Sequence, residues 1–237
     1  MRLDQYLVEK EYLKSLSLAQ SVILAGKVLV NDKVESRAGY SIKEKDVIRI
    51  KPIKEHVSRS AEKLKTALEK WNFDVKNRSF IDIGASTGGF TETLLEKGAV
   101  KVIALDVAYG FLHPKLRKDK RVFIFERKNI RRLKKEEMPF MPDYFTADVS
   151  FISIRKVLKS LQELRNSWEG IILFKPQFEA DKKTLKKGIV SEETDRKKLL
   201  DDFYQYLKEY NITHVDTLKS SIAGTKGNIE YLIWLKW

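Results

Sequence analysis

The chain has 237 residues, 43% of them hydrophobic, which is enough for one medium domain and one small domain. It has no cysteine, which excludes disulfides and thiolate metal sites and is consistent with a cytoplasmic protein. The formal net charge is +13, and eleven basic residues stand against two acidic ones between positions 115 and 135. Such a concentration of positive charge favours binding to a polyanion such as nucleic acid.

Membrane insertion and metal binding are both disfavoured by the sequence. No apolar run approaches the ~18 residues that a membrane span needs, and the opening MRLDQYLVEK lacks the apolar core of a signal peptide. The three histidines, His56, His113 and His214, form no metal-ligand pattern. We therefore predict no metal site and no membrane partner, whereas the sequence leaves the oligomeric state open.

Residues 1–55 are predicted to form a small α+β module. Two short amphipathic helices come first, and Gly26 follows the second of them in the position that often adopts a left-handed conformation. A strand at Val28–Val30, a turn at Asn31-Asp32 and a strand at Val47–Ile50 complete a small sheet.

This module resembles an S4 RNA-binding domain over the run SLAQSVILAGKVLVNDKVESRAGYSIKEKDVIRI. Such domains usually carry an arginine just after the serine that opens the second helix, and here Leu16 follows Ser15. One phosphate contact is therefore expected to be missing. The resemblance implies that residues 1–55 bind RNA, and the alternative is a small structural appendage.

Residues 58–237 alternate strand and helix patterns, which predicts an α/β domain with a mostly parallel seven-stranded sheet. Long helices are predicted at Ser153–Leu164 and Glu192–Tyr210. The last two strands are joined by SIAGTKGN, which is short enough for a hairpin, so the final strand should run antiparallel. This arrangement is typical of class I (Rossmann-like) methyltransferases and not of dehydrogenases. The predicted strands are Phe80–Ile83, Lys101–Leu105, Val122–Phe125, Tyr144–Thr146, Gly170–Phe174, Ile212–Leu218 and Ile229–Lys236.

The run IDIGASTGGF joins the first strand of this domain to a helix through a glycine-rich turn. Asp106 ends the next strand, where a carboxylate can accept hydrogen bonds from ribose hydroxyls. A dinucleotide fingerprint needs G-x-G-x-x-G, whereas three residues separate Gly84 from the Gly88-Gly89 pair. The spacing favours S-adenosylmethionine, which has a ribose but no phosphate, over a nicotinamide dinucleotide.

Charged residues are predicted to converge at the carboxyl ends of the parallel strands. DVSF at 148–151 lacks the prolines found where enzymes methylate exocyclic amines, and KPQF places Lys175 after a nearly wholly apolar strand. Partial burial there favours the neutral amine, which can take a proton from a hydroxyl, and Lys63 is the candidate for a second nearby cation. Phe151 is compatible with contact to the cofactor, to a flipped base or to the core.

The motifs VSRSAEKL, DIGASTGGF, ERKNIR, DVSFIS, KPQFE and GNIEY occur in an order and at spacings similar to those of the haemolysin A (TlyA) family. The resemblance spans nearly the whole chain. It implies an S4 domain joined to an FtsJ-like RNA 2′-O-methyltransferase domain, with a catalytic tetrad at Lys63, Asp148, Lys175 and Glu230. The bare termini resemble family members that are restricted to large-subunit ribosomal RNA.

The sequence is therefore interpreted as that of a ribosomal RNA (cytidine-2′-O-)-methyltransferase whose partner is ribosomal RNA or a ribosomal subunit. The alternatives are a non-catalytic RNA-binding or ribosome-assembly protein, a membrane-lytic protein and a nicotinamide-linked enzyme. The candidate cofactor-binding residues lie in and around the motifs: Asp82, Gly84, Ala85, Ser86, Gly88, Gly89, Phe90, Asp106, Val107, Asn129 and Asp148.

Overall fold

The computed structural model describes residues 1–13, 16–24, 26–43, 45–50, 58 and 60–237. The chain divides into two compact units, Met1–Glu55 and His56–Trp237. The division that the sequence suggests falls near residues 51–57, and this segment lies outside the described residues, as does Ser15.

The first unit packs two helices on a three-stranded antiparallel sheet of order β2-β1-β3. Its core is made of aliphatic side chains from both helices and from β1, and Gly26 follows α2 with φ of +66°, as the sequence predicts. Leu13 is buried in this core although it lies beyond the end of α1. The elements are α1 (Leu3–Glu9), α2 (Leu16–Leu24), β1 (Val28–Val30), β2 (Lys33–Val34) and β3 (Ile48–Ile50).

The second unit alternates strands and helices along most of its length. Short 3₁₀ helices cover Ile130–Arg132, Lys135–Glu137 and Thr225–Gly227. The remaining elements are α3 (Ser60–Trp71), β4 (Ser79–Ile83), α4 (Gly89–Glu96), β5 (Lys101–Leu105), α5 (Pro114–Arg117), β6 (Val122–Phe125), β7 (Tyr144–Ala147), α6 (Ile154–Leu164), β8 (Glu169–Phe174), α7 (Pro176–Glu179), α8 (Glu193–Glu209), β9 (Thr213–Lys219) and β10 (Tyr231–Lys236).

These strands form one seven-stranded sheet of order β6-β5-β4-β7-β8-β10-β9. Strands β4 to β8 are parallel, and β10 runs antiparallel to both β8 and β9, as the hairpin signal in the sequence predicts. Each predicted strand agrees with an observed one to within two residues at either end. The strand order reverses at β4, because the chain continues from β4 to β5 and β6 on one side and later adds β7 on the other side. Open parallel sheets bind their ligands at such a point.

Helices cover both faces of this sheet, so its central strands are buried on both sides. All five residues of β4 are buried, and so are five of the six residues of β8. Two hydrophobic cores lie on the two faces, one under α6 and α8 and the other under α3 and α4. Because the interior strands have no exposed face, polar side chains on them collect where the strands end.

Candidate active site

The loop between β4 and α4 leaves the sheet at Gly84. This residue has φ of +82°, and a Cβ atom there would lie 2.4 Å from the carbonyl oxygen of Asp148, so that only glycine fits. The amide N–H groups of Gly84 and Ala85 donate to the carbonyl oxygen of Leu105 at 2.8 and 3.1 Å. The loop is therefore held against the carboxyl ends of β5 and β7.

Asp106 follows β5 and turns its carboxylate toward the same loop. Its Oδ2 accepts a hydrogen bond from the amide of Ser86, and its Oδ1 accepts one from the amide of Ala108, both at 2.7 Å. Each carboxylate oxygen keeps a second lone pair, so Asp106 can still accept hydrogen bonds from neighbouring hydroxyls. A narrow recess beside it has apolar walls that include Ala85 and Phe111. A ribose next to a flat aromatic base suits this combination.

One lysine–carboxylate pair joins the ends of β7 and β8. The Nζ atom of Lys175 lies 2.6 Å from Oδ1 of Asp148 and donates a hydrogen bond to Oγ of Ser150 at 3.0 Å. The two ion-paired side chains are 11% and 18% exposed. Because β7 and β8 are neighbouring parallel strands, their carboxyl ends bring these residues together despite their separation in sequence.

A second lysine–carboxylate pair lies deeper. Lys63 comes from α3 and Glu230 immediately precedes β10, and Nζ of Lys63 lies 2.6 Å from Oε2 of Glu230. The other carboxylate oxygen, Oε1, accepts a hydrogen bond from Nε2 of Gln177 at 2.9 Å. The Lys63 and Glu230 side chains are only 9% and 3% exposed. Buried charges are tolerated when they are paired and hydrogen-bonded, and both conditions hold here.

Both pairs open onto one cavity of about 390 Å³. This volume is within the roughly 300–1,000 Å³ that small-molecule sites occupy. The wall combines the glycine loop, the start of α3, the strand ends and the segment before β10. The lining residues are Ser58, Ser60, Lys63, Gly84, Ala85, Ser86, Thr87, Phe90, Asp148, Ser150, Lys175, Ile222, Ala223, Gly224, Thr225 and Glu230.

The structure brings all four residues of the expected tetrad to this cavity. Five of the candidate cofactor-binding residues line it: Gly84, Ala85, Ser86, Phe90 and Asp148, which belongs to both sets. Each of the two lysines is paired with a carboxylate, Lys63 with Glu230 and Lys175 with Asp148. Asp106 lines the adjoining recess together with Ala85 and Ser86. The tetrad and the ribose acceptor therefore lie at the same edge of the sheet.

The other candidate residues do not line the cavity. Gly88 and Gly89 are buried, and Val107 is 65% exposed. Asn129 caps a short 3₁₀ helix, with Oδ1 accepting from the amide of Arg131 at 3.1 Å.

Asp82 is fully buried inside the sheet, one residue before the end of β4. Its oxygens accept hydrogen bonds from the hydroxyls of Thr91 at 2.7 Å and Thr146 at 2.9 Å. Burial and, to a smaller extent, the nearby charge of Asp148 raise the pKa of this carboxyl to about 7, against the opposing effect of the hydroxyls. Asp82 thus ties α4 and β7 to β4 from beneath the loop.

Several residues of the site were not singled out from the sequence. Ser58 and Ser60 lie at the start of α3, Ser150 contacts Lys175, and Gln177 contacts Glu230. Each stands inside or beside a motif that was recognised, in VSRSAEKL, DVSFIS and KPQFE. The motif was visible, but which of its polar side chains turns toward the cavity depends on the local backbone.

The sheet order, the antiparallel last strand, the glycine loop and the acid after β5 define an S-adenosylmethionine-dependent methyltransferase. A family model for FtsJ-like methyltransferases matches residues 56–237, and one for the S4 domain matches residues 1–48. The chain belongs to the FtsJ-like methyltransferase family, in the haemolysin A (TlyA) group that carries an S4 domain.

Three relatives illustrate this membership. Hemolysin A of Brachyspira hyodysenteriae is 43% identical over 98% of both chains. The 16S/23S rRNA (cytidine-2′-O)-methyltransferase TlyA of Mycobacterium tuberculosis is 36% identical over 99% of this chain and 89% of its own. The 23S rRNA (cytidine-2′-O)-methyltransferase TlyA of Campylobacter jejuni is 40% identical over 76% of this chain and 70% of its own.

A solved structure from Streptococcus thermophilus has a TM-score of 0.76 with this chain and 34% identity, and it covers 100% of this chain and 88% of its own.

Among the described residues, no helix combines the length and apolar character needed to cross a bilayer.

Proposed function

We propose that this protein methylates the ribose 2′-oxygen of a cytidine in large-subunit ribosomal RNA, with S-adenosylmethionine as the methyl donor. The observation that carries the proposal is the convergence of two lysine–carboxylate pairs on a cavity bordered by the glycine loop. The names of the Mycobacterium tuberculosis and Campylobacter jejuni relatives support the cytidine 2′-oxygen as the acceptor.

The residues at this edge fit the donor. Gly84 and Ala85 line the cavity, where a Cβ atom at Gly84 would collide with the carbonyl oxygen of Asp148, and Asp106 retains acceptor capacity for the ribose hydroxyls. Bound here, S-adenosylmethionine supplies a methyl group on a positively charged sulfur, which makes the methyl carbon open to displacement by an oxygen. The carboxylate of Asp148 would lie beside that positive charge as well as beside Lys175.

Lys175 is the residue that we place against the ribose hydroxyl. It lines the cavity, and its amine is held from two sides by Asp148 and Ser150. When its amine is neutral, it takes the proton that the 2′-hydroxyl loses, and Asp148 then balances the ammonium that results. A fixed amine position matters because most of the acceleration comes from holding the reacting groups in line.

Lys63 and Glu230 act as an orienting pair in this proposal. Lys63 lines the cavity while its ammonium group remains ion-paired with the buried Glu230 carboxylate. An ammonium group at this position donates a hydrogen bond to an oxygen in the cavity and so directs the ribose hydroxyl toward Lys175. The pair is held by packing, because α3 covers one face of the sheet.

The exposed position of Phe151 supports a role for its ring in holding the RNA. Its side chain is 92% exposed, which excludes core packing, and its φ of +62° is uncommon for a bulky residue. The ring stands 5.2 Å from that of Phe178, whose centroid is 5.8 Å from Nζ of Lys175. An exposed aromatic ring beside the proposed acceptor site offers a surface on which an unpaired base can stack.

The two units also support binding to RNA. The first matches the S4 domain, and nine of the eleven basic residues between positions 115 and 135 are exposed in the second. In the same region, the guanidinium of Arg127 lies 4.3 Å from the ring centroid of Tyr109. Exposed cations next to aromatic rings suit a polyanion with bases to stack.

The proposal is tested by incubating the protein with methyl-labelled S-adenosylmethionine and, separately, large and small ribosomal subunits and the free RNA of each. The RNA is then digested to nucleosides. We expect label in 2′-O-methylcytidine from large-subunit RNA. Label on a base instead of a ribose, or no transfer to any of the four RNAs, would contradict the proposal, and RNA binding without transfer would favour a ribosome-assembly role.

Matched variants separate the site from the rest of the domain. Asp148→Asn removes the charge beside Lys175 without changing the size of the side chain, and it should lower transfer strongly. Asp74→Asn removes an exposed carboxylate just before β4, at the opposite edge of the sheet, and it should transfer like the wild type. Equal loss in both variants would show that general charge, and not the site, governs the activity.

A further inference from the structure

Gln177 occupies a buried position next to the proposed catalytic lysine. It is the second residue of α7, two positions after Lys175, and only 8% of it is exposed. Its Nε2 donates a hydrogen bond to Oε1 of Glu230 at 2.9 Å. A glutamine is seldom so deeply buried unless its amide is hydrogen-bonded.

The Glu230 carboxylate is fixed on three sides. Lys63 holds Oε2 at 2.6 Å, Gln177 holds Oε1, and Gly224 lies so close that a Cβ atom there would be 2.1 Å from Oε1. A carboxylate can rotate about its last torsion with little intrinsic preference. The two hydrogen bonds and the tight packing together select one orientation, and that orientation determines where the Lys63 ammonium group points.

The Gln177 amide turns its donor side toward the Glu230 carboxylate. The N–H side faces Glu230, and within the described part of the chain the amide oxygen Oε1 has no hydrogen-bond partner. Turning the amide over would satisfy neither group, because it would place one acceptor oxygen against another. The Gln177 amide therefore supplies a donor to the carboxylate oxygen that Lys63 does not contact, and both oxygens of Glu230 are engaged.

We propose that Gln177 is a positioning residue that keeps the Glu230 carboxylate correctly oriented, so that Lys63 stays directed into the cavity. This inference rests on the proposed function for its effect on turnover, whereas the contact itself does not depend on that function. Gln177 does not line the cavity, so it acts through Glu230 and not by touching the substrate.

Two substitutions at Gln177 test this role in different ways. Gln177→Met keeps an unbranched side chain of similar length but removes the donor. It should lower kcat roughly tenfold, as expected for losing a hydrogen bond to a charged group. The KM for RNA and the Kd for S-adenosylmethionine should stay within about twofold, because Gln177 does not line the cavity and touches neither ligand.

Gln177→Glu should give a pH signature that a merely structural role would not produce. Two carboxyl groups would then share a buried site, so that one of them holds a proton and donates in place of the amide. As the pH rises and this proton is lost, the two charges repel each other, and kcat should fall. The wild type has no such group at 177 and should lack this falling limb.

Gln162→Met is the matched control, because Gln162 donates a single hydrogen bond, to the carbonyl oxygen of Tyr210 at 3.0 Å, on the far side of α6. It should leave both kcat and the pH profile unchanged. Wild-type kcat in Gln177→Met, or a wild-type pH profile in Gln177→Glu, would overturn the inference. If Gln177→Met does not fold, Gln177→Glu retains a donor at low pH and carries the test.

A measurement without RNA separates this inference from the proposed function. The unfolding temperature of Gln177→Glu should fall, relative to that of the wild type, as the pH rises. If the wild type transfers no methyl group to RNA, the proposed function fails. The stability profile then still tests the contact between Gln177 and Glu230 by itself. A parallel dependence in the two proteins would show that the side chain at position 177 does not share a buried site with the Glu230 carboxylate.

Discussion

The two edges of the seven-stranded sheet both carry a cavity, and the one at the amino ends of the parallel strands is the larger, at about 490 Å³ against about 390 Å³. Two charged residues that line the cavity at the amino edge bond to neutral groups. Arg165 donates to the carbonyl oxygen of Pro142 at 2.8 Å, and Glu169 accepts from the indole of Trp234 at 2.9 Å. At the carboxyl edge, by contrast, both lysines pair with carboxylates that other elements supply.

This difference follows from the direction of the strands. Carboxyl ends of parallel strands lead into loops that start helices, so residues from distant parts of the chain meet there with their backbone amides and side chains directed at one place. Amino ends receive chains that leave helices, and the charged groups of Arg165 and Glu169 bond there to a backbone carbonyl and an indole. The chemistry of the lining residues therefore marks the functional edge, and the volume of the cavity does not.

The largest expected effect is at Lys175. Lys175→Ala should lower turnover by at least roughly 10²-fold, the low end for removing a general acid–base group, with cofactor affinity largely unchanged. Lys175→Arg should be nearly as inactive, because a guanidinium keeps its charge and cannot accept a proton. Single-turnover rates measured with labelled cofactor across a pH series should rise with pH in the wild type and then level off.

Arginine is the decisive substitution of the two. Near-wild-type turnover in Lys175→Arg would show that a fixed positive charge beside Asp148 is enough, and the proton would then have to pass to Asp148, Glu230 or water. In that case the carboxyl edge would still be the active edge, but its lysine would serve only to hold the substrate.

The sequence predicted the carboxyl edge well because its residues follow recognisable strands. Asp106, Asp148 and Lys175 each stand within two residues of the end of a predicted strand, so their meeting at one edge follows from the parallel topology alone. Glu230 stands at the amino end of the antiparallel last strand, which lies at the same edge, and Lys63 was already the candidate for a second cation. The family resemblance added that both belong to a catalytic tetrad.

What the sequence could not show was the direction of individual side chains. Asp82 lies in the same motif as the glycine loop, yet its carboxylate turns toward Thr91 and Thr146 inside the sheet. Gln177 follows Lys175 by two residues but enters a short helix that points it at Glu230. These outcomes depend on packing between elements, which a one-dimensional pattern does not contain.

The second prediction concerns Asp106, whose carboxylate faces the recess next to the glycine loop. Asp106→Ala should weaken binding of S-adenosylmethionine by about 1–3 kcal/mol, the cost of leaving ribose hydroxyls and loop amides unpaired. Calorimetry on the full chain measures this directly, with NAD titrated as the comparison ligand. Binding of NAD as tight as that of S-adenosylmethionine would contradict the assignment of the recess.

A smaller effect, on stability, is expected at Asp82. Its pKa is raised to about 7 by burial, so between about pH 4 and pH 7 the folded state holds a proton that the unfolded state has lost. The free energy of unfolding should therefore fall as pH rises through this window, by at most about 1.4 kcal/mol per pH unit. Asp82→Asn cannot ionise and should lose this slope.

Chemical unfolding at pH 5, 6 and 7 provides the measurement. Asp74→Asn, which removes an exposed carboxylate, should keep the wild-type slope. Asp82→Asn and the wild type could also lose stability in parallel between pH 5 and pH 7. The pKa of the Asp82 carboxyl would then lie below this range, and the hydrogen bonds from Thr91 and Thr146 would outweigh the effect of burial.

The smallest effect should come from the amino edge, where Arg165→Gln offers the sharpest contrast with Lys175. The change removes the hydrogen bond to Pro142 and the contact of the guanidinium with the ring of Trp168, whose centroid is 5.5 Å away. Stability should drop by about 0.5–1.5 kcal/mol, as for a typical intramolecular hydrogen bond. Turnover and cofactor affinity should match those of the wild type, because no lining residue of the smaller cavity is disturbed. A loss of transfer in Arg165→Gln at full cofactor binding and unchanged folding would mean that RNA also contacts the amino edge, and the functional asymmetry between the two edges would no longer hold.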